Sequence, residues 1–229
     1  MTGGVAKVAA AAAGLCVVGG GVAVTTAAAA GPGRSVTSYV SEAGAGPHAT
    51  PYRLGILTLA LGLLLLALAL PPALRLAAGL LGAAAVCAVL SATVPCSAGC
   101  PLPPYEPTTP HDLVHGTASI AAVASCVFAM LAVGGGPAVR SLPLVSSLGL
   151  PAGPPAGLPA ARGVSLAAAA LALPLSAVVG IGMLTVGRGA VVGITERVLL
   201  AVIAGWLCYL AASRVFAGPG VDAAAPNRS

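Results

Sequence analysis

The chain has 229 residues, of which 58% are hydrophobic and only 7% charged. A soluble domain carries roughly 25% charged residues, so this chain cannot cover a water-facing globule. The net charge of +5 is spread without a basic cluster, which excludes nucleic acid as a partner and fits basic residues flanking membrane spans.

A helical span needs about 20 apolar residues, and six runs qualify. Val8–Ala30 is the first, rich in Ala and Gly. It is longer than the roughly 7–15-residue apolar core of a secretory signal, and Leu15 before Cys16 is larger than the residue that precedes a lipoprotein cysteine, so a retained span is expected. Leu54–Leu70 is the second, ended by Pro71-Pro72, and Ala73–Val94 the third. The stretch Pro95–Pro110 is too proline-rich to be helix interior. Leu113–Val133 is the fourth span, and Gly134–Ala160 is a long Gly/Pro/Ser-rich connection. Val164–Val186 is the fifth span, with Pro174 as an expected kink, and Val198–Phe216 is the sixth. The predicted fold is all-α, an integral membrane bundle of six transmembrane helices over residues 1–217, followed by a disordered cytoplasmic tail over 218–229.

Orientation follows from the basic residues. The N-terminus, the second and fourth connections and the C-terminus carry Lys7, Arg75, Arg140, Arg162, Arg214 and Arg228 against Asp222 alone. The opposite side carries Arg34, Arg53, Arg188 and Arg197 against Glu42, Glu106, Asp112 and Glu196. The expectation is a multi-pass protein of the cell membrane with both termini cytoplasmic. No ionisable residue falls near the centre of a span, which argues against a proton pump or voltage sensor.

The chemistry therefore collects on one face. In the third connection Cys96 and Cys100 flank Gly99, and an oxidising compartment favours a small disulfide loop. A metal pair is the lesser reading, because a structural zinc site wants four ligands and no second cysteine pair lies on that face. Cys16, Cys87, Cys126 and Cys208 lie within spans and read as small packing residues. His111 and His115 are i and i+4, sharing a helix face, a spacing that can hold one metal. Thr109, Pro110 and Asp112 also read as a plain helix start with a capping box. A haem is disfavoured, since no His in another span supplies the opposite ligand. The first connection offers Glu42 and His48, either as a polar loop or as groups completing a pocket with the His111/His115 helix. Thr195 is placed to cap the sixth span, with Glu196 at its positive end or paired with Arg53 or Arg188.

The order of these motifs is itself informative. Ser41-Glu42-Ala43-Gly44 precedes Tyr52-Arg53-Leu54-Gly55. Val94-Pro95-Cys96 with Cys100 and Pro103-Pro104-Tyr105-Glu106 follow, then Thr109, Asp112 and His115 in register, then Glu196-Arg197-Val198. This order resembles the domain-of-unknown-function 998 family of bacterial integral membrane proteins, from about Val8 to Phe216. The resemblance implies six helical spans and no established activity. The acidic turn alone is similar to that of a eukaryotic six-span family that includes autophagy modulators and a glycolipid-remodelling factor. The leading functional expectation is a protein that binds a membrane lipid or a protein partner through a polar pocket of Glu42, His48, His111, Asp112, His115 and Glu196 on the extracytoplasmic face. The alternatives are a metal-dependent hydrolase or transferase acting on lipid through the same residues, and a small-solute transporter. No cofactor is assigned.

Overall fold

The protein is described from a computed structural model, which covers residues 3–31, 36–104, 106–135 and 159–216. No strand occurs among the described residues. Six long helices follow one another: α1 (Gly3–Ala30), α2 (Ala49–Ala69), α3 (Arg75–Thr93), α4 (Pro110–Gly134), α5 (Pro159–Thr185) and α6 (Ala190–Val215). Short 3-10 turns at Val40–Ala45 and Pro72–Leu74 precede α2 and α3. All six helices are long and apolar enough to cross a membrane, α3 together with its preceding turn. The chain is a multi-pass membrane protein.

Most helices begin before the apolar runs that announce them. A helix bonds its own backbone groups, so the chain stays helical through polar residues at the membrane boundary until Pro or Gly interrupts it. Thus α2 starts just after Pro47-His48, α4 starts at Pro110, and α6 starts after the Gly187-Arg188-Gly189 turn. The last start is a correction. Thr195 does not cap α6, whose N-cap is Gly189, and Glu196 lies in the second turn rather than at the helix opening. The connection expected over 134–160 and the tail over 218–229 fall largely or wholly outside the described residues.

Each helix packs on its neighbours in sequence, and α6 returns to pack on α1. The six helices therefore form a closed ring. Leu66, Leu81, Met130 and Leu210 are fully buried inside it. Trp206 of α6 donates to the Ser165 hydroxyl of α5 at 2.9 Å, which satisfies its indole N–H within the packing. Leu15, Leu61, Leu68, Ile120, Phe128, Leu171 and Ile181 point outward, an apolar belt suited to lipid. The α1–α2 contact is the closest, because Gly20 and Gly55 face each other with almost no space between backbones.

Side chains tie both ends. At one end Arg214 donates to the Ala69 carbonyl at 3.2 Å, and Arg162 to the Gly134 carbonyl at 3.1 Å. The other end carries the first, third and fifth connections, and with them every acidic residue and every histidine among the described residues.

Candidate functional site

Arg188 joins the three connections at that end. Its guanidinium makes two hydrogen bonds to Glu106, at 2.7 and 2.8 Å, and lies 3.5 Å from Glu42. The same group rests on Gly99, where a Cβ would stand only 2.7 Å from Nη2. Gly99 also has φ +85, a left-handed backbone that favours glycine there. Arg188 is held charged above its usual range chiefly by its bonds to Glu106.

Glu42 and Glu196 satisfy the amides at the start of the Val40–Ala45 turn. Glu42 accepts from the Tyr39 N–H at 3.1 Å and Glu196 from the Val40 N–H at 3.1 Å. A short helical turn leaves its first amides unpaired, and a carboxylate is a strong acceptor for them. The two expected partners of Glu196 are engaged elsewhere: Arg188 with Glu42 and Glu106, and Arg53 with the Gly44 carbonyl at 3.4 Å.

Burial raises the Glu42 carboxyl above its usual range, against the lowering by the Tyr39 amide and Arg188. A raised folded-state value means that the folded protein binds more protons. This contribution to stability is complete below the unfolded carboxyl value and is lost as pH rises through the folded one. Arg188→Ala removes an opposing influence and leaves the buried Glu42 carboxylate with the Tyr39 amide but without its cation. We expect a loss of about 1–2 kcal/mol at neutral pH, discounted because Arg188 is itself one-third exposed. The difference from wild type should shrink as pH falls to about 4, where carboxyls take up protons. Thermal melts of both proteins across that range check it; a gap that widens on acidification contradicts the assignment.

The Cys96–Cys100 pair forms a disulfide, with Cα atoms 5.0 Å apart, inside the range of about 4.4–6.8 Å that such bridges span. Asp112 holds this loop to α4. Its carboxylate accepts from the Ser97 N–H at 2.7 Å, the Ser97 hydroxyl at 2.8 Å, the Thr109 N–H at 2.8 Å and the Thr109 hydroxyl at 2.7 Å. Thr109 accepts in return from the Asp112 N–H at 3.3 Å. This is a complete capping box at the start of α4, extended across to the cysteine loop.

His115 is 4% exposed. Its Nδ1 lies 2.8 Å from the Ser91 carbonyl and 3.0 Å from the Val94 carbonyl. Carbonyl oxygens only accept, so Nδ1 carries a hydrogen, and the neutral ring in that tautomer has its lone pair on Nε2. Nε2 is buried with no hydrogen-bond partner. A ring nitrogen of His115 and the sulfurs of Cys96 and Cys100 lie within 4.8 Å of one another, the one such group of three metal-capable side chains among the described residues.

The two histidines thus part company. His111 stands one turn nearer the helix end and is exposed. It lines an open cleft of about 450 Å³ with Pro95, Cys96, Ser97, Thr109 and Pro110. His48 caps α2 backbone geometry without a side-chain bond and lies near Gly31 at the end of α1. Glu42, Glu196 and Arg188 make one set of contacts; Asp112, Ser97 and Thr109 make another; His115 has its own. Sequence reasoning passed over Ser91 and Ser97, and offered Arg188 only as a partner for Glu196.

A family described as protein of unknown function (DUF998) matches residues 10–213. Neither a curated protein nor a solved structure matches the chain.

Proposed function

The chain belongs to the DUF998 family, and from that premise we propose that it is a non-enzymatic protein of the cell membrane, with both termini cytoplasmic, that binds a lipid at its extracytoplasmic cap. The orientation draws support from the six basic residues against one acidic on one side and four against four on the other, and from a disulfide that needs an oxidising compartment. The observation that carries the binding reading is the cleft beside His111. Its polar group is exposed at the rim, and Leu113 and Val114 on the same helix turn outward toward lipid. An amphipathic ligand fits that order, headgroup against the imidazole and chain along α4.

The hydrolase alternative finds less support. Asp112 is occupied by two amides and two hydroxyls, Glu42 by an amide and Arg188. A protein partner at the same cleft is the second reading. The test is crosslinking with a photoreactive phospholipid in nanodiscs. Wild type should be labelled preferentially within residues 95–111, and His111→Ala should lower that yield several-fold without changing the melt. Labelling spread evenly over the spans, or indifferent to His111, contradicts lipid recognition there.

A further inference from the structure

We propose that Cys96, Cys100 and His115 form a thiophilic-metal site that opens when the Cys96–Cys100 disulfide is reduced. The site takes zinc(II) or a cation of similar softness through two thiolates and His115 Nε2.

Three observations carry this. The first is proximity: a ring nitrogen and both sulfurs lie within 4.8 Å of one another, in a region where all three residues are buried. Reduction lengthens the separation of the sulfurs, and a metal at about 2.3 Å from each sulfur and about 2.0 Å from nitrogen fits among groups already so close.

The second is the orientation of His115. Metal-bound histidines donate their other ring N–H to a carbonyl or carboxylate, which fixes the tautomer and aims the ligating lone pair. Here the Ser91 and Val94 carbonyls take Nδ1–H. The Ser91 hydroxyl, 2.8 Å from that of Ser119, steadies the same corner, and Ser119 donates to the His115 carbonyl at 2.9 Å. The held ring leaves Nε2 buried and unpartnered. Burying an acceptor without a donor is unfavourable, and a metal shared with the two sulfurs would satisfy it.

The third is access. Cys96 is 6% exposed yet lines the cleft beside His111. Three protein ligands with the fourth position left to water or a ligand is the arrangement of an open zinc site rather than a closed structural one.

The chemistry balances with one external reactant. A protein or small-molecule dithiol supplies two electrons and two protons, the disulfide becomes two thiols, and the dithiol leaves as its own disulfide. Metal binding then releases the two thiol protons. In the disulfide form the sulfurs are committed to each other, so the site is switched by redox state. This inference rests on the three side chains and not on what the cleft binds.

Full-length protein in detergent would be reduced with a phosphine, stripped with a chelator, freed of both and titrated with Co²⁺ alone. The reduced wild type should bind about one equivalent with a thiolate-to-cobalt absorption band that Zn²⁺ displaces, while unreduced protein binds none. The double variant Cys96→Ser, Cys100→Ser should lose the band. His115→Gln, whose amide can still donate to the two carbonyls, should keep the band but bind at least about tenfold more weakly. If His115→Gln loses its helical circular dichroism, the double variant decides alone. The proposal is overturned if reduced protein with both thiols free binds no cobalt. It is equally overturned if binding persists in the double variant, which would place it at Cys16, Cys87, Cys126 or Cys208, or if a folded His115→Gln binds as tightly as wild type.

Discussion

Asp112→Ala is expected to destabilise the protein by about 2–3 kcal/mol, lowering the melting temperature in detergent by on the order of 5–10 °C. Asp112 is 2% exposed, and its two oxygens are the acceptors for the Ser97 and Thr109 amides and both hydroxyls. Alanine takes the charged acceptor from both amides and both hydroxyls, which water can reach in part at Ser97 and Thr109, and removes the cap of α4. Asn retains one acceptor oxygen and should fall between. The cysteine loop is joined to α4 through Ser97, so Asp112→Ala should also speed reduction of the disulfide by a dithiol. Melts monitored by circular dichroism, with thiol release followed in parallel, check both effects. A melt within a degree or two of wild type would mean that the cap is not held through Asp112.

The second large effect belongs to the α1–α2 contact and separates three consecutive glycines. A Cβ at Gly20 would lie 2.7 Å from the Gly55 carbonyl oxygen and 2.9 Å from the Leu59 amide nitrogen, both backbone atoms that cannot turn aside. One at Gly19 or Gly21 meets nothing within 4 Å. Small residues let helix backbones approach closely in lipid, where packing rather than water drives association. Gly20→Ala should therefore cost about 1–3 kcal/mol by overpacking, and Gly20→Leu should separate the two helices and cost more. Gly19→Ala and Gly21→Ala should be neutral or gain up to about 1 kcal/mol from helix propensity. Four melts suffice, and equal responses at positions 19, 20 and 21 would contradict the interlock.

The spans were legible in the sequence because apolar length is a direct physical requirement of the membrane. Which glycine matters was not, since Gly19, Gly20 and Gly21 are identical in composition and differ only in the direction each faces. The helix starts were read late because hydropathy marks where lipid begins, whereas helix continues outward until Gly189 or Pro47 stops it. The Thr195 cap was lost to that difference. The spacing of His111 and His115 correctly gave one face but not depth. One turn of about 5.4 Å takes His111 to the open cleft and leaves His115 buried near the two cysteines. Long-range partners such as Arg188 with Glu42 and Glu106 join residues far apart in the chain, and no local pattern announces them.

These contacts make the three connections at one end a single cross-tied unit. Arg188 binds the first and third connections from the fifth, Asp112 binds the cysteine loop to α4, and Glu196 reaches from α6 to the first connection. A unit of that kind gives a fixed frame to the cleft beside His111.

The most direct test is labelling of intact cells with a membrane-impermeant maleimide, before and after treatment with an impermeant reductant. The account predicts no reaction at Cys96 or Cys100 before reduction and reaction at one or both afterwards, with no need to permeabilise the cells. Labelling without reduction would contradict the disulfide, and labelling only after permeabilisation would place this end of the bundle in the cytoplasm.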